Sequence, residues 1–243
     1  MKKKTYGLGM AVLLAALLAC AGVAQSAMWA GVELGGNFIG STELKVNGSS
    51  INDVGFSPSV IGGVTIGYDF VNAGFGAYNW PDWMKYFSFA TDLTYNHVEV
   101  RTTDKLGYPP AAKLDGYCVA WTFLFMAHYG FFPDSVVPSG RVNPYIGVGP
   151  AIVWSGLNMG TGLPGVVGQR QQMGNVGIGQ AGSTNIALVV EPGIRWVALP
   201  NVSIDTAFRY RYAVPSYNFG NDTTVKVNPL NQFSFLVRAN YHF

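Results

Sequence analysis

The chain closes on Gln232-Phe233-Ser234-Phe235-Leu236-Val237-Arg238-Ala239-Asn240-Tyr241-His242-Phe243. Successive side chains of an extended strand point to opposite faces. Phe233, Phe235, Val237, Ala239, Tyr241 and Phe243 therefore share one face, and Gln232, Ser234, Arg238, Asn240 and His242 share the other. One face suits lipid and the other water.

The same parity runs backwards through the chain. Val202 to Tyr212 sets Val202, Ile204, Thr206, Phe208 and Tyr210 against Ser203, Asp205, Ala207, Arg209 and Arg211. Before it, Ile186, Leu188, Val190, Pro192, Ile194 and Trp196 alternate with Ala187, Val189, Glu191, Gly193 and Arg195. Asn143 to Trp154 sets Ile146, Val148, Pro150, Ile152 and Trp154 against Tyr145, Gly147, Gly149 and Ala151, and Pro150 predicts a local bulge or a missing donor. Val119, Trp121, Phe123, Phe125 and Ala127 oppose Thr122, Leu124, Met126 and His128, while Phe87, Phe89, Leu93 and Tyr95 oppose Ser88, Ala90, Asp92, Thr94 and Asn96. Val60 to Phe70 places Val60, Val64, Ile66, Tyr68 and Phe70 opposite Thr65 and Asp69, and Trp29 to Gly40 places Ala30, Val32, Leu34 and Phe38 opposite Glu33 and Asn37. These eight segments of about ten residues carry the signature of a transmembrane β-barrel.

Composition agrees. Only 12% of the 243 residues are charged and 49% are hydrophobic, against about 25% charged in an average soluble domain. After residue 27 no run of about 20 apolar residues is free of charge, so no spanning helix is expected. A soluble β-sandwich would carry Lys and Glu at ordinary surface frequency on its polar faces, whereas these hold mainly Gly, Ala, Ser, Thr and Asn. Unpaired strand edges cost several kcal/mol per backbone group in hydrocarbon, so the strands must close on one another. The expected fold is all-β, an eight-stranded antiparallel transmembrane β-barrel.

Residues 1–27 read as a secretory signal peptide, with Lys2, Lys3 and Lys4 before an apolar stretch from Leu8 to Val23 and a small polar run Ala24-Gln25-Ser26-Ala27. Residues 28–243 are then the barrel domain. Leu17-Leu18-Ala19-Cys20 also has the look of a lipoprotein box, in which Cys20 would carry lipid. Losing the three lysines takes the balance from 15 basic against 13 acidic residues to 12 against 13, which removes the electrostatic footprint of a nucleic-acid binder. Cleavage near Ala27 leaves Cys118 as the one thiol, so the fold must stand without an intramolecular disulfide.

The closing segment, with Phe233, Phe235, Val237, Tyr241 and the terminal Phe243, resembles the last strand of bacterial outer-membrane proteins. In that family it is the signal read by the barrel assembly machinery. Arg141-Val142-Asn143-Pro144-Tyr145-Ile146-Gly147-Val148-Gly149-Pro150-Ala151 resembles a strand of small OmpA-like and opacity-type barrels. Glu191-Pro192-Gly193-Ile194-Arg195-Trp196 and Arg209-Tyr210-Arg211-Tyr212 are similar to the sixth and seventh strands of that superfamily. The resemblance implies an up-and-down barrel of the porin-family kind, integral to the outer membrane of a Gram-negative bacterium, in contact with outer-membrane lipid and lipopolysaccharide. The chain stops on this strand, so the peptidoglycan tether of longer relatives is not expected.

With a periplasmic N-terminus, segments 41–57, 100–116, 155–184 and 213–229 face outward, and 71–85, 130–142 and the Pro200-Asn201 turn face the periplasm. The outer segments carry Lys45, Arg101, Lys105, Lys113, Arg170 and Lys226 against Glu43, Asp53, Glu99, Asp104, Asp115 and Asp222, a balance that disfavours a polyanion patch. Gly160 to Gly182 lacks the Lys-Ser/Thr ending of a phosphate loop and reads as a flexible surface segment, with Gln169, Gln171 and Gln172 around Arg170. A surface ligand would be met through these four loops.

Inside, Glu33, Asp69, Asp92, Glu191 and Asp205 stand against Arg195, Arg209, Arg211 and Arg238. An eight-stranded barrel has room only for side chains, so these charges are expected to form a network, with Glu191 and either Arg195 or Arg238 as its central pair. Trp29, Trp80, Trp83, Tyr86, Tyr210, Tyr212 and Tyr241 suit the headgroup boundary as interfacial anchors. No His, Cys, Asp or Glu spacing fits a metal, no cofactor is implied, and catalysis is not expected. The role read from the sequence is structural and surface contact; the alternatives are a narrow passive channel and, third, a lipid A-modifying enzyme built on His97 and Glu99 with an outer-loop serine.

Overall fold

Each alternating segment folds as a strand that finds two neighbours. The computed structural model describes residues 28–46, 49–71, 79–101, 114–159, 180–218 and 224–243. The strands are β1 (Met28–Ile39), β2 (Thr42–Val46), β3 (Ser49–Phe56), β4 (Ser59–Asp69), β5 (Phe87–Arg101), β6 (Leu114–His128), β7 (Val142–Met159), β8 (Gln180–Leu199), β9 (Val202–Ala213), β10 (Ser216–Asn218), β11 (Thr224–Asn228) and β12 (Leu230–His242). A 3-10 turn at Asp82–Tyr86 leads into β5.

Eight of them close the barrel. Antiparallel pairing runs β1, β4, β5, β6, β7, β8, β9, β12 and back to β1, so chain neighbours are spatial neighbours throughout. The start of β1 and the end of β12 meet at one end, where the Phe243 amide donates to the Met28 carbonyl at 3.0 Å. That end also holds the Pro200-Asn201 turn and is the periplasmic one in the expected orientation.

Parity places every side chain as the alternation predicts. Val32, Leu34, Val64, Leu93, Phe125, Ile186, Phe235 and Val237 are exposed on the outer wall, while Glu33, Asp92, Glu191, Asp205, Arg209 and Arg238 are buried within. An exposed apolar wall of this extent is a membrane surface in a folded protein. Pro150 produces no bulge: Thr122 pairs Ala151 and Phe125 pairs Val148 in one register, with two rungs missing between them. Proline has no N–H to give there. The neighbouring backbones also press together, because a Cβ on Gly149 would lie 1.8 Å from the Phe123 carbonyl oxygen.

The outer loops depart from expectation. Segments 41–57 and 213–229 are not loops but the hairpins β2–β3 and β10–β11, joined in the order β10, β11, β2, β3 and continued by Gly55 and Phe56 onto β5. On their inner face Leu44, Val54, Tyr217, Val225 and Val227 bury against Val100, Leu157, Ala181 and Leu230 of the barrel. The Ser155 and Tyr217 hydroxyls bond at 2.8 Å, and the Thr42 hydroxyl donates to the Pro229 carbonyl at 2.6 Å. The wall thus continues past the eight long strands, and its apolar inner face forms a roof over the charged layer, at the extracellular end in the expected orientation. Strands also run further outward than read, β7 to Met159 and β8 from Gln180. The signal segment with Cys20, and the stretch holding Arg170 and its glutamines, lie outside the described residues, as do Asp104, Lys105, Lys113 and Asp222.

Val225→Asp puts a carboxylate under this roof, where burial of an unpaired charge is prohibitive. The roof should lift while the barrel stays closed. Hydrogen exchange should show lost amide protection in β2 and β11 with the heat-modifiable gel shift unchanged.

Candidate functional site

Register turns scattered charges into a belt. Glu33 on β1 stands opposite Arg238 on β12, Arg238 opposite Asp205 on β9, and Asp205 opposite Arg195 on β8. Four adjacent strands therefore present alternating sign at one height, as favourable cross-strand pairs do. Arg238 donates to Glu33 at 2.7 Å and to Glu191 at 3.1 Å, and Arg195 donates to Asp205 at 3.1 Å.

Further bonds cross the lumen. β9 and β5 lie on opposite sides of the ring. Arg209 of β9 reaches Asp92 of β5 with both terminal nitrogens, at 3.1 and 2.6 Å, and its Nε donates to Glu191 at 2.6 Å. This two-pronged geometry gives Arg–carboxylate pairs their strength and direction. β8 and β4 are likewise opposed, and Arg195 approaches Asp69 at 3.5 Å. The Tyr145 hydroxyl donates to Glu191 at 3.1 Å. Such charges are held only where each has a partner, since an isolated buried ion would cost far more than the pair.

Eight of the nine expected charges join this network. Arg211 is in the lumen but pairs with neutral groups, donating to Gln232 at 3.0 Å and Thr94 at 3.3 Å, and Gln232 passes the chain on to Asn96 at 3.1 Å. Glu191 pairs with Arg209 and Arg238, not with Arg195, whose carboxylates are Asp205 and Asp69. Above Arg211 the lumen turns apolar, and Cys118 is buried there among Val98, Ala120 and Val153.

Trp29 corrects the anchor assignment. It is 0% exposed, its indole N–H donates to Asp69 at 3.1 Å, and the Arg195 guanidinium lies 4.4 Å from its ring centre. Trp29 shares the parity of Glu33 and so must point inward; Gly67 makes the space, since a Cβ there would lie 2.1 Å from the indole. The other proposed anchors lie outside. Trp83 and Tyr86 are exposed at the periplasmic end, Tyr86 stacking on Tyr129 at 5.7 Å, and Trp80 donates to the Tyr68 hydroxyl at 3.3 Å. Tyr210 and Tyr212 occupy the outward half of β9, where Tyr210 donates to Asn231 at 2.7 Å. Of the closing-strand aromatics, Phe233 packs on Phe208 and Tyr210, and Tyr241 on Phe243. His97 and Glu99 fall on the outer parity of β5, and His97 is exposed there.

At the periplasmic mouth, segment 130–141 folds across the opening and drives Val137 inward to 4% exposure. Asp134 holds it, accepting from the Val137 amide at 2.6 Å and the Val136 amide at 2.9 Å, and pairing with Arg141. The Val137 amide first, with the Arg141 side chain beside it, keeps the Asp134 carboxyl below the usual carboxylate range. Gly140, at φ +96°, makes the return turn that only glycine adopts freely.

No protein family's sequence pattern matches this chain, and no curated protein matches it in sequence. Solved structures do match in shape. The outer membrane protein OprG from Pseudomonas aeruginosa superposes at a TM-score of 0.53 and 13% identity, covering 90% of this chain and 98% of that one. The outer membrane protein AlkL, determined by solid-state NMR in lipid bilayers, gives 0.51 and 15% identity over 92% of each chain. The fold is that of a small, integral outer-membrane barrel.

Arg238→Met strands Glu33 and Glu191 without a shared cation and should cost about 3–5 kcal/mol. Urea unfolding in lipid vesicles would measure it, and adding Glu33→Gln should restore a large part. For Asp134, whose folded pKa is depressed, the ordering contribution is complete above the unfolded value of about 4 and disappears as pH falls through the folded one. Hydrogen exchange at Val136 and Val137 should therefore be flat from pH 7 to about 5 and, after correction for intrinsic rates, accelerate below it, with Asp134→Ala fast throughout.

Proposed function

We propose that the protein is a non-catalytic outer-membrane barrel of a Gram-negative bacterium whose lumen is plugged and whose role is structural and surface contact. The observation that carries this reading is the Arg209–Asp92 fork, which spans opposed walls at 2.6 Å within a layer of buried ion pairs. The apolar roof of β2, β3, β10 and β11 adds a second obstruction above it. A solute would have to break several desolvated pairs and pass the apolar roof.

Surface contact then belongs to the outward face of the roof, where Glu43, Lys45 and Lys226 alternate with the buried Leu44, Val225 and Val227. Delivery to the membrane rests on the closing strand with Phe233, Phe235, Val237, Tyr241 and Phe243, in the manner that its resemblance to other outer-membrane proteins implies.

Planar-bilayer recordings test the plug. The parent protein should give no stable steps above background, and Arg209→Ala combined with Asp92→Ala should open measurable conductance. Reproducible steps in the parent that shift in Glu191→Gln would instead identify a narrow channel gated by the interior charges.

A further inference from the structure

Below the ion-pair layer the lumen ends in a cavity of about 280 Å³, walled by strand ends on one side and by residues 136–139 on the other. Most of its polar lining is already engaged. Asp69 accepts from Trp29 and Arg195, Tyr145 donates to Glu191, Asn143 donates to the Gly140 carbonyl at 2.8 Å, and His242 bonds Ser203 at 2.9 Å. Two groups are not. The Ser88 hydroxyl and Nε2 of His128 are buried and have no hydrogen-bond partner within the described residues. Ser88 itself is 0% exposed. Buried polar atoms are nearly always satisfied in a folded protein, so an unsatisfied pair lining one cavity marks a place for an incoming group.

The third polar contributor is Lys85, exposed at the rim, with its ammonium 5.3 Å from the Tyr86 ring centre. Lys85 offers a positive charge and Ser88 a hydroxyl donor, while the His128 ring, whose other nitrogen is engaged by the Phe87 backbone, presents Nε2 as an acceptor. Lys85 comes from the 3-10 turn, Ser88 from the start of β5 and His128 from the end of β6, and all three line the cavity. The opposite wall is apolar, made by Val137, Pro138 and Val197 with Met126 at the back. We propose that this cavity binds a small carboxylate-bearing molecule from the periplasmic side, its oxygens taken by Lys85 and Ser88 and its apolar body lying under Val137. The space fits a molecule of on the order of ten non-hydrogen atoms, judged against a share of about 30 Å³ per water molecule in the liquid.

The site adjoins the plug, since Asp69 and Arg195 also line the cavity, but Lys85, Ser88 and His128 take no part in its ion pairs. It gives segment 130–141 a second role. The turn that Asp134 and Arg141 hold together is the wall against which the ligand's apolar body would lie.

The test uses the full-length protein purified from membranes in detergent, with 4-fluorobenzoate as the probe and fluorine NMR as the readout. Saturable shift and broadening is the expected result. Lys85→Gln and Ser88→Ala should each weaken binding at least tenfold, and Lys226→Gln, at the far end, should leave it unchanged. Both substitutions are near-isosteric, and heat-modifiable gel mobility checks that the barrel is intact. The absence of saturable binding, or affinity unaltered in both variants, would overturn the site. Equal binding of the neutral 4-fluorobenzamide would overturn the assignment to carboxylates.

Discussion

A backbone amide in hydrocarbon has no partner but another strand, and this one constraint organises the molecule. It forces β1 to meet β12, which closes the ring and fixes the circumference at eight strands. With that circumference the interior is too narrow to hold a column of water and wide enough only for side chains. Everything placed on the inner parity must then find its partners across or along the wall. The belt of Glu33, Arg238, Asp205 and Arg195, and the Arg209 fork to Asp92, are the outcome of that compulsion.

The strands and their faces were legible in the residues because period two is local. Phe235 and Arg238 declare opposite sides whatever their neighbours are. Partnership was not legible, because it depends on register between segments far apart in the chain. Nothing in the order of residues says that Glu191 meets Arg209 while Arg195 meets Asp205; that follows only when β8 and β9 are aligned. Trp29 is the opposite case. Its parity with Glu33 turns it inward, and that parity outweighs the general preference of tryptophan for membrane boundaries.

The roof was hidden for a different reason. Thr42-Glu43-Leu44-Lys45-Val46 and Thr224-Val225-Lys226-Val227-Asn228 alternate as clearly as the barrel strands, with Leu44, Val225 and Val227 inward. They are five residues each, bounded by polar turns, and so carry too little signal to separate from loop. Their stability comes from each other and from the apolar upper wall, which is tertiary. The unusual apolar inner face of β6, with Leu124, Met126 and Cys118, was the available hint that the lumen is not polar along its whole height. The periplasmic cavity was also out of reach, since it needs Ser88, His128 and the 130–141 segment in one place.

The ion pairs carry a further consequence for how the protein comes into being. Glu33 and Arg238 are 205 positions apart, and Arg209 and Asp92 are 117. No nascent piece of the chain contains a complete set, so the inner faces stay charged and hydrated until the final strand is added. The half-built sheet is therefore a poor guest for lipid on its concave side, and only ring completion lets the water leave. Bringing together partners so far apart is intrinsically slow. Insertion and closure are on this account one event, timed by the docking of β12 on β1, and the neutralised lumen is the mark that the ring has closed.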